Sequence, residues 1–309
     1  MPKSRSTSLW RPTNLLALIG ILFLKLSAHL PLALTCRLGK GIGTLMALVF
    51  PYRRKVGLVN LRLCFPEMTE KERRRLLFRH YQSLGMGVFE MAAGWWKPAE
   101  AIRAVSEVTG LEHLEAVAAS GRGALLLTAH MTSLELAGRV LLNHHPFSCL
   151  YRKPDQPQIA RVMTECRTRL MRRVIHFDEM KDLVRALREG EFVWYAPDQG
   201  RRIKYSALIP FFGVPAVTNT ATGRLARMGK AAVLPFCGYR LPDGRYRVEI
   251  LPEMTRIPSE DPEADALEIN RLIEEFVRKA PEQYFWLHRR FKRRGEGFED
   301  VYAPARRRK

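Results

Sequence analysis

The sequence predicts an α/β fold: a mixed, largely parallel sheet flanked by helices, with an N-terminal membrane-associating helix in front of it. Two observations carry the sheet. Short apolar runs, ALLLTA (124–129), FSCLY (147–151), VIHF (174–177), FVWYA (192–196), AVLPFCGY (232–239) and YRVEIL (246–251), have the length of buried strands. Between most of them lie stretches with helical periodicity, notably LELAGRVLL, PQIARVMTECRTRLMRR, DEMKDLVRALREG and TNTATGRLARMGK. Strands alternating with helices build a parallel sheet covered on both faces, and the segment YRLPDGRYRVEIL adds an antiparallel hairpin at an edge. A third observation, the apolar character of the first fifty residues, adds the N-terminal helix.

Taken in order, LLALIGILFL (15–24) follows a basic leader, is interrupted by Lys25 and His29, resumes through Leu38, and is followed by GIGTLMALVF (41–50). The unbroken run is shorter than the ~18–20 residues of an unambiguous span. A tilted span whose lysine snorkels to the interface and a helix lying in the interface both fit, and an amphipathic helix packed on the body is the alternative. Trp10 and Arg11 in front and Arg53, Arg54 and Lys55 behind stand where interface anchors belong, which favours membrane attachment. LSAHLPLALTC offers no small-residue cleavage site, which argues against a signal peptide. Residues 1–55 therefore read as a membrane anchor with a basic flank, and 56–309 as a single α/β domain. Its entry segment, 67–118, reads as helical, opening with Thr69 as N-cap and Glu72 three residues on. The tail ARRRK is expected to be disordered.

With 47% hydrophobic and 27% charged residues over 309 positions, the chain can bury a substantial core. Its 51 Lys and Arg against 31 Asp and Glu leave a formal charge of +20, which should draw it to nucleic acid, an anionic bilayer, or an acidic protein or substrate. The five cysteines are scattered, without a C-x-x-C pair, as expected of reduced thiols. The eight histidines form no H-x-x-x-H pair, and GKGIG lacks the phosphate-loop pattern, so neither a metal nor a nucleotide cofactor is expected.

The chemistry concentrates in GRGALLLTAHMTSLELAGRVLL (121–142), where His130 precedes Glu135 by five positions. Residues at that spacing on one helix do not face each other, so the pair must straddle an element boundary. With ALLLTA as strand and Thr132 or Ser133 as N-cap, His130 falls beyond the carboxyl end of the strand, where open sheets bind ligands. Glu135 would then fix one imidazole nitrogen while the other removes a proton from a substrate hydroxyl. Thr132-x-x-Glu135 is equally a capping-box pattern, and spacing alone divides the two readings evenly. Ser133 lacks a nucleophile elbow, so direct transfer without a covalent intermediate is the simpler chemistry.

TAHMTSLELAGR, YRKPDQP, WYAPDQG, PFFGVPA, LARMGKAAVLPF and PEQYFWLHRRFK, in this order, together resemble the lipid A biosynthesis acyltransferases, the late acyltransferases of lauroyl type. The resemblance covers nearly the whole chain. It implies a glycerol-phosphate-acyltransferase-like fold and a bacterial inner-membrane enzyme with a cytoplasmic active site. The implied reaction moves a fatty acyl group from acyl carrier protein to a hydroxyacyl chain of the Kdo-bearing lipid A precursor. It further implies His130 and Glu135 as catalytic base and partner, and Arg167 as an oxyanion or phosphate contact, with Arg169, Arg152 and Asp198 also on the substrate. The partners implied are acyl carrier protein, the lipid A precursor and anionic membrane lipids, with no metal or other cofactor. Gln199-Gly200-Arg201 departs from the family's more acidic continuation, which bears on substrate preference. Rival readings are an acyltransferase for a lysophospholipid or another glycolipid and, from a different class, a membrane-tethered nucleic-acid-binding protein. Against the last, Trp194, Tyr195, Phe211 and Phe212 fall in core-like segments rather than along a basic surface stripe.

Overall fold

The apolar N-terminus folds as two helices, α1 (Pro12–Ser27) and α2 (Leu32–Val49), because the chain turns at His29–Leu30 and Pro31 can only begin a new helix. The computed structural model describes residues 12–200, 204–295 and 297–303; Trp10, Arg11 and the ARRRK tail lie outside them. Helix α3 (Pro51–Cys64) starts on a proline in its first turn. Helix α4 (Glu70–Trp96) is opened by the expected capping box: the Glu72 N–H donates to Thr69 Oγ1 (3.3 Å) and the Thr69 N–H to Glu72 Oε2 (2.7 Å).

The entry segment is not helical throughout. After α4 and the single turn α5 (Ala99–Arg103) comes strand β1 (Ser106–Thr109), then α6 (Leu111–Ala119). A half-exposed four-residue strand carries too little periodicity to stand out from helical neighbours. The alternation continues as expected through β2 (Ala124–Leu127), α7 (Leu134–Leu142), β3 (Ser148–Tyr151), α8 (Pro157–Leu170), β4 (Val174–His176), α9 (Met180–Arg188) and β5 (Phe192–Tyr195). A ribbon absent from the sequence reading follows, β6 (Ser206–Phe211) and β7 (Val214–Asn219), antiparallel with Phe211 opposite Val214. Its two-residue turn, Phe212–Gly213, takes positive φ at both positions (51° and 74°), the geometry that suits a right-twisted hairpin and that glycine adopts readily. The following helix, expected from Thr218, begins only at Ala221. The chain ends with α10 (Ala221–Gly229), β8 (Ala232–Arg240), β9 (Tyr246–Ile250), α11 (Pro262–Lys279) and a single 3₁₀ turn at Pro281–Gln283.

The seven-stranded sheet has the order β1-β9-β8-β2-β5-β3-β4. Only β8 and β9 pair antiparallel, as the LPDG turn predicts, but β9 is not the edge: β1 continues the sheet parallel to it. Strands β2, β5 and β8 read as continuous apolar runs because both faces are covered. With period two, Leu125, Leu127, Val193, Tyr195 and Val233 face the layer of α9, α10 and α11. Ala124, Leu126, Phe192, Trp194 and Leu234 face the layer of α6 and α7.

Helix α2 is fastened to α4 by backbone contact. A Cβ on Gly43 would lie 2.1 Å from the Tyr81 carbonyl oxygen, and one on Gly85 would lie 2.1 Å from the Gly39 carbonyl oxygen. Only glycine permits this approach, so one face of α2 is committed to the protein. Leu34, Leu38, Leu45, Leu48 and Val49 remain exposed on the helix, as do Leu15, Leu16, Ile19, Leu22, Phe23 and Leu26 on α1.

Candidate active site

Strand register assembles the site. Strands β2 and β5 are parallel neighbours with Leu127 opposite Tyr195, so the third residue beyond each, His130 and Asp198, leaves the sheet side by side at its carboxyl edge. Asp198 accepts twice: from the His130 ring at Nδ1 (2.5 Å, to Oδ1) and from the His130 backbone N–H (3.0 Å, to Oδ2). The rest of the turn is clamped by the C-terminal segment. The Phe285 N–H donates to the His130 carbonyl (3.0 Å), the Thr132 N–H donates to the Gln283 carbonyl (2.7 Å), and Met131 and Tyr284 form a β-bridge. That segment is tied in turn to α3, where Asn60 Nδ2 donates to the Trp286 and His288 carbonyls at 2.6 and 2.7 Å. PEQYFWLHRR is therefore the strap that holds the histidine turn, a role no periodicity announces.

With Nδ1–H given to Asp198, the free lone pair of the neutral ring is on Nε2, which has no hydrogen-bond partner among the described residues. The His130 side chain is 33% exposed and Asp198 only 1%. Burial disfavours the imidazolium, but the charge and hydrogen bond of Asp198 outweigh it, so His130 sits above its ordinary value of 6.5. For Asp198 burial works against the carboxylate, and the His130 ring, the His130 N–H and Arg290 overcome it, so the group lies below its ordinary value. Arg290, itself buried, is aimed by bonds to the Val217 carbonyl (2.6 Å) and Thr218 Oγ1 (2.9 Å). Tyr284 is buried against Asp198, and burial together with that charge keeps its hydroxyl protonated.

The expected bond between Glu135 and His130 is not made. Helix α7 starts at Leu134, and its first turn swings Glu135 to the other side of the strand tip. There Oε2 accepts from Trp95 Nε1 (2.9 Å) and Oε1 forms an ion pair with Arg167. Nor is the capping box formed: Thr132 Oγ1 pairs with Ser83 Oγ (2.7 Å), and Ser133, the N-cap residue, donates to the Gly238 carbonyl (3.0 Å). The partner of the histidine comes from 68 residues away and that of the glutamate from 32, distances at which spacing carries no signal. Asp198, expected on the substrate, instead stands behind the imidazole.

Arg167 is 11% exposed, lies 5.5 Å from the Tyr151 ring and 5.7 Å from the Trp194 ring, and is close enough to His130 to oppose its charged form. Arg169 donates to the Trp95 carbonyl and so braces the residue that holds Glu135. Arg152 is not drawn in: it is 63% exposed at the end of β3 and pairs with Asp155 at 4.0 Å. Trp95, Tyr284 and Arg290 complete the site without having been singled out from the sequence. Among the described residues no group of three or more His, Cys, Asp or Glu is arranged to hold a metal ion.

A histidine with one nitrogen outward, a buried aspartate behind it and a paired guanidinium alongside stand together at the carboxyl edge of an open α/β sheet, the geometry that general-base group transfer requires. The profile of the bacterial lipid A biosynthesis acyltransferases matches residues 2–293. The chain is 40% identical over 299 residues to the lipid A biosynthesis lauroyltransferase of Escherichia coli K12, covering 96% of this chain and 98% of that one. It is 36% identical to the palmitoleoyltransferase of the same organism (94% and 95% covered) and 26% identical to its myristoyltransferase (79% and 76%). The chain belongs to the bacterial lipid A biosynthesis acyltransferase family and is an acyltransferase of lipid A biosynthesis.

Proposed function

We propose that this acyltransferase moves a fatty acyl group from acyl carrier protein to a hydroxyl on a hydroxyacyl chain of the Kdo-bearing lipid A precursor, at the cytoplasmic face of the inner membrane. The observation that carries this reading is the outward Nε2 of His130, given its tautomer by Asp198. Nε2 takes the proton of the acceptor hydroxyl as its oxygen attacks the thioester carbonyl. The tetrahedral adduct collapses with cleavage of the carbon–sulfur bond, and the departing thiolate takes the proton back from the imidazolium. Ester and free carrier thiol result, with no covalent enzyme intermediate and no other cofactor. Asp198 stabilises the imidazolium, and Arg167, held by Glu135 and stacked among aromatic rings, offers positive charge to the oxyanion or to a phosphate of the acceptor.

Attachment to the membrane is supported by the α1–α2 surface. Its exposed leucines are too many and too contiguous for an ordinary soluble face. The first 66 residues carry ten Lys and Arg and no Asp or Glu, a composition suited to an anionic bilayer. Helix α2 is long and apolar enough to cross a membrane, yet its glycine face is spent on α4, which favours a platform seated in the interface over a free span.

The test is acyl transfer by purified wild-type and His130→Ala protein, using lauroyl-, myristoyl- and palmitoyl-loaded carrier with a Kdo-bearing tetraacyl lipid A precursor, read by product mass. A gain of one acyl chain that falls by about 10²–10⁴-fold in the variant is expected. No gain from any donor by folded, membrane-bound protein would overturn the proposal.

A further inference from the structure

A cavity of about 890 Å³ opens between α9 and α10, on the opposite layer of the sheet from Arg167. Its wall is apolar, made by Phe177, Val184, Leu225 and Met228 among others. Tyr195, Pro197 and Gln199 line it too, so it borders the segment that carries Asp198, while Asp198 and His130 themselves are not among its described lining residues. Among the described residues, four cations, Lys181, Arg185, Arg188 and Arg224, also line it and are exposed, and Asp178 is the one carboxylate. Lys181, Arg185 and Arg188 fall at i, i+4 and i+7 of α9, so that helix presents a basic stripe along the cavity.

The membrane-side helices are elsewhere. Helix α1 touches α4 and α8, the helices that carry Trp95 and Arg167. The strand tip thus has two approaches. The apolar surface of α1 adjoins the Glu135–Arg167 side, and the cavity with its cationic mouth adjoins the Asp198 side. A lipid acceptor comes from the bilayer, and the positive charge for its phosphate is already offered by Arg167 on the side that α1 adjoins. A donor chain tethered to a soluble acidic carrier needs both features of the second approach: an apolar hole for the hydrocarbon and positive charge around it for the carrier.

We propose that the α9–α10 cavity receives the fatty acyl chain of the donor and that Lys181, Arg185, Arg188 and Arg224 dock the acidic carrier presenting it, so that donor and acceptor meet His130 from opposite layers of the sheet. This rests on the carrier-dependent reading above and adds to it where the donor binds and which side chains set chain length. Met228, half-exposed at the cavity wall, is a position where bulk can be added without disturbing the core.

The experiment measures kcat and KM for wild-type, Met228→Trp and the double variant Lys181→Glu/Arg185→Glu with octanoyl-, lauroyl-, myristoyl- and palmitoyl-loaded carrier, at low and high salt. Met228→Trp should move the preferred donor to a shorter chain, changing the ratio of short-chain to long-chain kcat/KM by about ten-fold or more. The charge-reversed variant should raise KM for every donor about ten-fold with kcat kept, and lose most of the salt dependence. An unchanged chain profile in Met228→Trp, or an equal loss for all chains, overturns the cavity assignment. Wild-type KM and salt dependence in the double variant overturn the docking assignment. Either result, obtained with active wild-type enzyme, leaves the acyl-transfer reading standing, whereas absence of transfer by wild type defeats that reading itself.

Discussion

Asp198 and Glu135 are two carboxylates withdrawn from solvent at the same end of the sheet, yet their partners differ in kind. Asp198 holds an imidazole, which can give up its proton, while Glu135 holds a guanidinium, which cannot. The first pairing raises the proton affinity of an imidazole. The second makes a fixed positive charge tolerable in a place that is nearly dry, where an unpaired arginine would be costly. Two similar acids thus acquire different functions from what they touch rather than from what they are.

Substitution at Asp198 should break this contrast most severely. Asp198→Asn keeps the shape but loses the charge and the Nδ1–H tautomer preference, and a loss of about 10²–10⁴-fold in kcat/KM is expected. The pH profile gives the decisive readout. His130 must be neutral to act, and its value lies above 6.5 because of Asp198, so the wild-type rate should rise with pH through that higher value. In Asp198→Asn the acidic limb should move to lower pH, and a limb that stays in place would refute the pairing. The linkage to stability has two edges. The raised histidine favours folding below its ordinary value and loses that contribution as pH rises through its folded value. The depressed aspartate contributes above its ordinary 3.8 and loses its part as pH falls through its lower folded value.

Glu135→Ala should act through Arg167 instead. Removing the carboxylate leaves the guanidinium and the Trp95 N–H without their acceptor, at a cost of about 1.5–3 kcal/mol in urea unfolding. Transfer should fall while the acidic limb stays where wild type has it; a shifted limb would mean that Glu135 touches the proton after all. A smaller effect is expected at the seam between the platform and the body. Gly43→Leu would drive a side chain into the Tyr81 carbonyl and should destabilise the fold by about 1–3 kcal/mol, loosening α2 and reducing vesicle retention together. Smallest is Arg152→Ala: with 63% of its side chain exposed and one long ion pair to Asp155, unfolding should shift by no more than about 0.5 kcal/mol.

The two regions also differ in how far they could be read. His130 was legible because a polar residue just past an apolar strand has only one sensible place, the carboxyl edge of the sheet. Asp198 was visible as a residue but not as its partner: the offset of three beyond β2 and the same offset beyond β5 becomes meaningful only once Leu127 is known to face Tyr195. Glu135 misled because a five-residue spacing across a turn leaves the direction of the side chain open. The ribbon Ser206–Asn219 and strand Ser106–Thr109 were missed for a related reason, since short, partly exposed strands show little pattern of their own.

By itself the sequence determined the alternation of strands and helices, the apolar and basic N-terminus, the capping of α4 and the place of His130 just beyond a strand, because each depends on periodicity or on neighbours a few residues apart. Tertiary structure decided which acid serves that histidine, which cation the other acid holds, how the C-terminal segment clamps the turn and where a cavity opens. These depend on strand order and register, which join residues dozens of positions apart through packing and hydrogen bonds that no local pattern encodes.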